Sequence, residues 1–370
     1  MKILILGGSG ILSTDFTKKV LDSGDSVTIV NRGKRKAFID PRAKLLVADL
    51  RQESEKALSQ KLATQEYDVV VDFLSYNVDH LRKNLNIIRS KCKQYIFISS
   101  ATAYKKCSED EIITEKTPVG NQKWDYAYQK ALCEQYLEKE NIDYTIIRPY
   151  VTYGDSRIPF QIIPDGAHYT LLQRIKEEKP VILLDDGRAV CTLTHTTDFA
   201  EVLYRLLLNA KAYRQAFHIT NSCTYTWKEV YETLCRILEK PTNVISVSLE
   251  DVKKYLPEYY PSLSGDKGTN MQFDNSKVMQ AIGEYQFAVD LEAGLRRSVA
   301  YYETHENMQR IEFRWDGKVD YCIQKNSGRK LSCLKIRNSY SCSPMLYFVV
   351  RYQPFRGMYN FLKGLYQRLR

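Results

Sequence analysis

The chain has 370 residues, enough for one large domain or two medium ones, and its 44% hydrophobic and 26% charged composition is that of an ordinary soluble globular protein. Nine scattered cysteines, an odd number without a C-x-x-C pair, exclude a complete internal disulfide framework and read as reduced thiols in a cytoplasmic protein with no metal site. The net charge of +10 sits at one end: residues 306–370 hold 13 Lys/Arg against 4 Asp/Glu, leaving 41 against 40 in the first 305.

The opening "MKILILGGSG" is too short and too broken by glycine for a signal peptide. No apolar run reaches membrane-spanning length, 345–350 being the longest. Through residue 150 short apolar runs at 3–6, 27–30, 45–47, 69–73, 95–98 and 144–147 read as buried strands. Between them lie stretches of helical periodicity such as 79–90 and 126–139. That alternation predicts an α/β fold, a doubly wound parallel sheet of Rossmann type covered by helices on both faces.

The first strand runs into Gly7, Gly8, Ser9 and Gly10, and Ile11 and Leu12 begin a helix. Glycines let the backbone turn sharply against a pyrophosphate, whose charge is favoured at a helix start. Ser13 occupies the place of a third glycine, as a small substitute. After the second strand, "NRGKRK" gives Asn31 and Arg32, then Lys34, Arg35 and Lys36, where an NAD site would place a carboxylate on the ribose. An arginine there pairs with a 2′-phosphate, so the cofactor is expected to be NAD(P), with NADP favoured over NAD by Arg32. Asp49 and Leu50 after the third strand suit an adenine-contacting position, and Leu74 and Ser75 after the fourth would line the cofactor pocket.

"DYAYQKALCEQYL", residues 125–137, carries three tyrosines and one lysine. A helix turns roughly 100° per residue, so Tyr126 and Lys130 share a face while Tyr128 points away. An ammonium beside a phenol favours the phenolate and lowers its pKa from about 10. Beyond Arg148 the pattern loosens around Pro149, Gly154, Pro159, Pro164 and Gly166. Thr226 and Glu229 then fit a capping box ahead of an apolar helix face, and 260–272 reads as a long loop.

The glycine turn, "FISSATAY", Tyr126-x-x-x-Lys130 and "RPYVTYG" come in an order and at spacings that resemble the extended short-chain dehydrogenase/reductase superfamily, the NAD-dependent epimerase/dehydratase family. The resemblance covers about residues 1–305, with "FDNSKVMQAIG" and "LEAGLRRSVAYYE" similar to the close of that family's substrate lobe. It implies a Rossmann domain over 1–155, a substrate lobe over 156–305 interleaved with that sheet, and a basic extension over 306–370. It also implies Tyr126 as acid/base, Lys130 holding the nicotinamide ribose, and Ser100 bonding the reacting oxygen, with Thr102 as deputy. Arg148-Pro149 would close the sixth strand beside the nicotinamide.

The implied activity is an epimerase or reductase at a sugar hydroxyl or keto carbon, on a nucleotide-activated sugar. Two departures matter. No Asp-Glu pair follows Ser100, which disfavours 4,6-dehydration. Cys191 stands where the family's diphosphate-gripping arginine falls, with Arg157 or Arg188 to compensate. "NRGK", "TLTHTTDFA" and "AFHIT" resemble a branch related to chloroplast stem-loop-binding proteins, some of which bind RNA. A cofactor-bound RNA- or membrane-binding scaffold therefore stays open as the alternative, and His195 reads as structural rather than as a base.

In the extension, "RIEFRWDGKVDYCIQ" alternates like a strand, and Phe355, Met358, Tyr359, Leu362, Leu365, Tyr366 and Leu369 fall on one helical face among basic residues. Packing or homodimer contact, and attachment of 345–370 to the inner membrane surface, are both open, with nucleic acid the least favoured partner.

Overall fold

A computed structural model describes residues 1–62, 66–105, 108, 110–328 and 351. The chain divides into two compact units. The first comprises residues 1–154, 191–224 and 270–290, and the second 155–190, 225–269 and the chain from 291 onward.

The first unit is α/β and doubly wound. Strands β1 (Lys2–Leu6), β2 (Ser26–Asn31), β3 (Lys44–Val47), β4 (Tyr67–Asp72) and β5 (Cys92–Ile98) join the strands Tyr144–Pro149 and Gln215–Ile219 in a seven-stranded sheet. Its order is Gln215–Ile219, Tyr144–Pro149, β5, β4, β1, β2, β3, with every neighbour pair parallel. Alternate residues of each strand enter separate cores on the two faces. Ile3, Ile5, Val69 and Val71 pack with Phe16, Val20 and Phe199. Leu4, Leu6 and Val70 pack with Leu58, Leu81, Leu85, Cys133 and Leu137. Burial on both faces explains why these strands read as continuous apolar runs.

Helix α1 (Ile11–Asp22) supplies Phe16 and Val20 to the first core, while α2 (Glu55–Lys61), α3 (Val78–Ile88) and α4 (Asp125–Leu137) cover the second. Strand order reverses between β1 and β4, one running outward to β3 and the other to Gln215–Ile219. In such sheets ligands bind beyond the carboxyl ends of the strands at this switch point.

The second unit holds a pair of parallel strands, Val181–Leu184 and Val244–Val247, among helices that include Tyr169–Lys176, Trp227–Ile237 and Leu291–Thr304. Thr226 caps Trp227–Ile237 as the sequence indicates, its hydroxyl accepting from the Glu229 amide at 3.1 Å while Glu229 accepts from the Thr226 amide at 2.6 Å.

Two sequence expectations need correction. The alternating stretch 310–324 is not a strand: Phe313–Ser327 is a helix, with the Glu312 carboxylate accepting from the Arg314 amide and Gly328 closing it at φ 68°. Trp315, Val319, Cys322 and Ile323 enter the second unit's core beside Ile182, Leu184 and Val252, a spacing of three and four that outweighs the brief alternation before it. Asp316 and Asp320, on the neighbouring stripe, clasp the buried guanidinium of Arg174, with Asp320 accepting at 2.8 Å, and both also bond Lys179. Second, 260–272 is not a long loop. Tyr260–Ser262 is a helical turn with Pro261 at its start, running into a π-helical turn at Leu263–Lys267. Its last carbonyl, on Lys267, takes bonds from Trp227 Nε1 at 2.9 Å and Gln161 Nε2 at 3.1 Å.

The amphipathic stretch at 345–370 and Cys107, Cys333 and Cys342 lie outside the described residues. Among the described residues, no helix is long and apolar enough to cross a membrane.

Candidate active site

The turn after β1 is tight. Gly7 and Gly8 have φ of +116° and +79°, and a Cβ on Gly8 would fall 2.5 Å from Ile29 Cγ2. Glycine is the residue such a backbone admits without strain. The Gly7 amide donates to Val30 O at 3.0 Å, and Asn31 Nδ2 donates to Gly7 O at 2.8 Å. Asn31 Oδ1 in turn accepts from the Gly33 amide at 2.8 Å, so this side chain ties the end of β2 to the glycine turn. Ser13, in the third-glycine place, is buried and its hydroxyl bonds Gly10 O at 3.0 Å, closing the start of α1. Ser9, Gly10, Ile11 and Leu12 lie along that start, where the first amides of any α-helix lack intrahelical acceptors. This cradle, which a Cβ would fill, fits the pyrophosphate of a dinucleotide.

Arg32, Lys34, Arg35 and Lys36 are all exposed beyond β2. Asp49 accepts from the Arg51 amide at 3.0 Å; that bond, with the Gln52 amide and the charge of Arg32, holds its carboxyl below the usual range. Leu50 beside it is buried in the core.

At the end of β4, Asp72 folds the chain back on itself. Its Oδ1 accepts from the Leu74 and Ser75 amides at 2.8 and 2.9 Å, and Oδ2 accepts from Ser75 Oγ, Asn84 Nδ2 and Tyr95 OH at 2.5, 3.0 and 2.6 Å. The turn presents the Ser75 carbonyl to Lys130, whose Nζ donates to it at 2.7 Å and to Ile98 O at 2.8 Å. Lys130 is buried, and burial pushes its pKa down to about 8, against the pull of Asp72, Cys133 and Glu134. Its ammonium lies 6.0 Å from the Tyr126 ring centroid and 4.8 Å from that of Phe97. Tyr126, half-buried, stands between the rings of Tyr76 and Trp124 at 5.7 and 5.1 Å.

Ser100 follows β5 and begins a 3-10 turn, its hydroxyl sharing a hydrogen bond with Thr102 Oγ1 at 2.9 Å. Asn121 Nδ2 holds the Thr102 carbonyl at 3.0 Å. Pro149 ends the neighbouring strand and is buried. The glycine turn, Leu74–Ser75, Ser100 and Pro149 thus stand at the carboxyl ends of four adjacent parallel strands.

Residues that sequence reasoning missed brace this edge. Glu134 lies four residues beyond Lys130, so Tyr126, Lys130 and Glu134 share one stripe of α4. Arg148 grips the Glu134 carboxylate from Nε at 3.0 Å and from Nη2 at 2.6 Å, both groups being buried. Ser99 Oγ also donates to Glu134. Arg148 Nη1 donates to Tyr104 OH at 2.9 Å, and Tyr104 meets His218 Nδ1 at 3.1 Å. His218 Nε2 must donate to the Asp274 carbonyl at 2.7 Å, so Nδ1 accepts the Tyr104 hydroxyl proton in the neutral ring, the form that burial favours by lowering the His218 pKa. An i, i+4, i+8 reading of α4 flags Glu134; nothing local flags Asp72 beyond an aspartate closing an apolar strand.

Arg157 and Arg188 belong to the second unit and are exposed, Arg188 standing 4.0 Å from Asp186. Cys191 is buried. His195 is buried and caps the helix Thr196–Arg205, its Nδ1 bonding Thr197 Oγ1 at 2.8 Å. Among the described residues, no group of three or more His, Cys, Asp and Glu is arranged to hold a metal ion.

The chain is 26% identical over 236 residues to chloroplast stem-loop binding protein of 41 kDa b from Arabidopsis thaliana, a match that spans 59% of this chain and 58% of that relative. An epimerase from Methanothermobacter thermautotrophicus superposes with a TM-score of 0.69 at 15% identity, covering 83% of this chain and 94% of its own. The UDP-glucuronic acid 4-epimerase of Bacillus cereus, solved in complex with NAD, gives 0.63 at 18% identity over 82% and 99%. At these identities the likeness is one of fold. The profile of the NAD dependent epimerase/dehydratase family matches residues 3–220, well over half of the chain. The protein belongs to that family.

Proposed function

We propose that this protein is an NAD(P)-dependent epimerase or reductase working at a hydroxyl- or keto-bearing carbon of a nucleotide-activated sugar. The observation that carries the reading is the buried Lys130, on one helix stripe with Tyr126 and at the sheet edge that also bears the glycine turn and Ser100. A nicotinamide dinucleotide held by Gly7–Leu12, Arg32, Asp49, Leu50, Leu74, Ser75 and Pro149 would supply or accept the hydride. Tyr126 exchanges the proton of the substrate hydroxyl, Ser100 donates a hydrogen bond to the same oxygen, and Lys130 keeps the phenol acidic while bonding the ribose hydroxyls. Thr102, Arg157 and Arg188 are the substrate-side candidates. The nearby buried carboxylates, Asp72 and Glu134, are already engaged, which supports epimerisation or reduction over 4,6-dehydration. Incubating the protein with a panel of nucleotide sugars and both dinucleotides tests this, reading isomers by chromatography and reduced nicotinamide by absorbance. A panel left unchanged with either dinucleotide contradicts it.

The alternative, a non-catalytic cofactor-bound scaffold for RNA or membrane, draws on the similarity to the chloroplast stem-loop binding protein and on the basic end of the sequence. A scaffold has no use for an ammonium buried beside a phenol, and burying one is costly.

Arg32 is expected to set dinucleotide choice. Arg32→Ala should weaken NADP by roughly tenfold or more, the loss of one charge-assisted phosphate contact, and leave NAD nearly unaffected, as read by fluorescence titration. Equal losses for both would remove the NADP preference. The Lys130 charge gives a pH test. Its folded pKa is depressed, so the ammonium is full below about 8 and is lost as pH rises through that value. Dinucleotide affinity should fall across that window, and Lys130→Met should flatten the dependence.

A further inference from the structure

We propose that Asp72 is a positioning residue for the Lys130 ammonium, acting through the turn it ties and the Ser75 carbonyl that turn presents. This rests on the reading of Lys130 as the cation of the site. The Asp72 carboxylate accepts five hydrogen bonds, and three of them come from the two residues Leu74 and Ser75. Ser75 Oγ is clamped a second time by Asn84 Nδ2 at 3.1 Å. A residue bound through its amide and its hydroxyl has one main-chain group left to aim, its carbonyl, and that group takes the shorter of the two bonds from Lys130 Nζ. The other acceptor, Ile98 O, belongs to β5 and is fixed by the sheet.

Around Nζ stand the rings of Phe97 and Tyr126 and the charges or thiol of Asp72, Glu134 and Cys133. Around Asp72 stand Tyr95, Ser75, Asn84, the Lys130 ammonium and, further out, His80 and Cys133. Asp72 is thus both the fastening of the acceptor and a carboxylate that favours the ammonium. Burial and the Asp72 charge each push the Tyr95 hydroxyl far above its ordinary pKa, so Tyr95 stays a donor to Asp72 over the working range of pH.

The test uses the full chain with ¹³C-labelled lysine, following the Lys130 ε-carbon by NMR against pH and assigning it with Lys130→Met. Asp72→Asn keeps the shape of the side chain but sets an amide against the donors of Asn84 and Tyr95. It should lower the Lys130 midpoint from about 8 by about one unit, and the pH at which dinucleotide binding is lost should move with it. Ser75→Ala removes only the hydroxyl clamp and should shift the midpoint the same way by less, which keeps the test decisive if Asp72→Asn does not fold. A folded Asp72→Asn with an unmoved Lys130 midpoint overturns the proposal, as does an unmoved midpoint in Ser75→Ala when that variant alone is soluble. The titration needs no turnover. An inactive sugar panel would therefore sink the enzymatic reading and leave this inference standing, whereas an unmoved midpoint sinks only this inference.

Discussion

Tyr126→Phe is expected to cut turnover by roughly 10²–10⁴-fold, the usual contribution of a positioned general acid/base, while dinucleotide affinity stays nearly the same. The change removes one oxygen and keeps the ring that stands between Tyr76 and Trp124, so α4 should remain in place. The loss should appear in kcat, since proton exchange is felt in the transition state more than in binding. Lys130→Met should behave differently, lowering kcat and also weakening the dinucleotide. Parallel single-turnover and fluorescence measurements on the two variants separate the roles. Equal turnover in Tyr126→Phe and the parent removes the catalytic assignment.

Glu134→Ala is the change with the largest expected cost in stability. Arg148 and Glu134 are 5% and 0% exposed, and the variant leaves the guanidinium buried without its carboxylate. Breaking a buried pair on one side costs about 3–5 kcal/mol, against a total stability of about 5–15 kcal/mol for a typical domain. The urea midpoint should drop accordingly. Replacing both partners by apolar residues of similar volume, Glu134→Leu with Arg148→Met, should recover most of the loss, because no charge is then stranded. If the double variant is no more stable than Glu134→Ala, the cost lies in the Ser99 and Tyr104 contacts instead.

Much of the first unit was legible from the sequence because both faces of its sheet are buried. β1 runs apolar from Ile3 to Leu6 and β4 from Val69 to Val71 without a break, and the glycine turn and the Tyr126–Lys130 spacing are local signals. The last strand, Gln215–Ile219, was not read from pattern, since His218 interrupts its apolar run for a partner, Tyr104, more than a hundred residues away. The helix Phe313–Ser327 was misread because Ile311, Phe313 and Trp315 alternate before the helical spacing begins, and because its charged anchors face Arg174, about 140 residues distant. Asp72 and Glu134 were missed for the same reason. Glu134 holds Arg148 and Ser99 from the sheet, and Asp72, besides the turn that follows it, holds Asn84 of α3 and Tyr95 of β5, none of which its own segment announces.

The most direct measurement is a crystal structure of the protein with dinucleotide bound. The nicotinamide should lie over the carboxyl ends of β4 and β5, with the Tyr126 hydroxyl within about 2.6–3.2 Å of an oxygen placed at the ring's reactive face and Lys130 Nζ on the ribose hydroxyls. A nicotinamide seated away from Tyr126, or a dinucleotide whose ribose does not meet Lys130, would contradict the assignment of both residues.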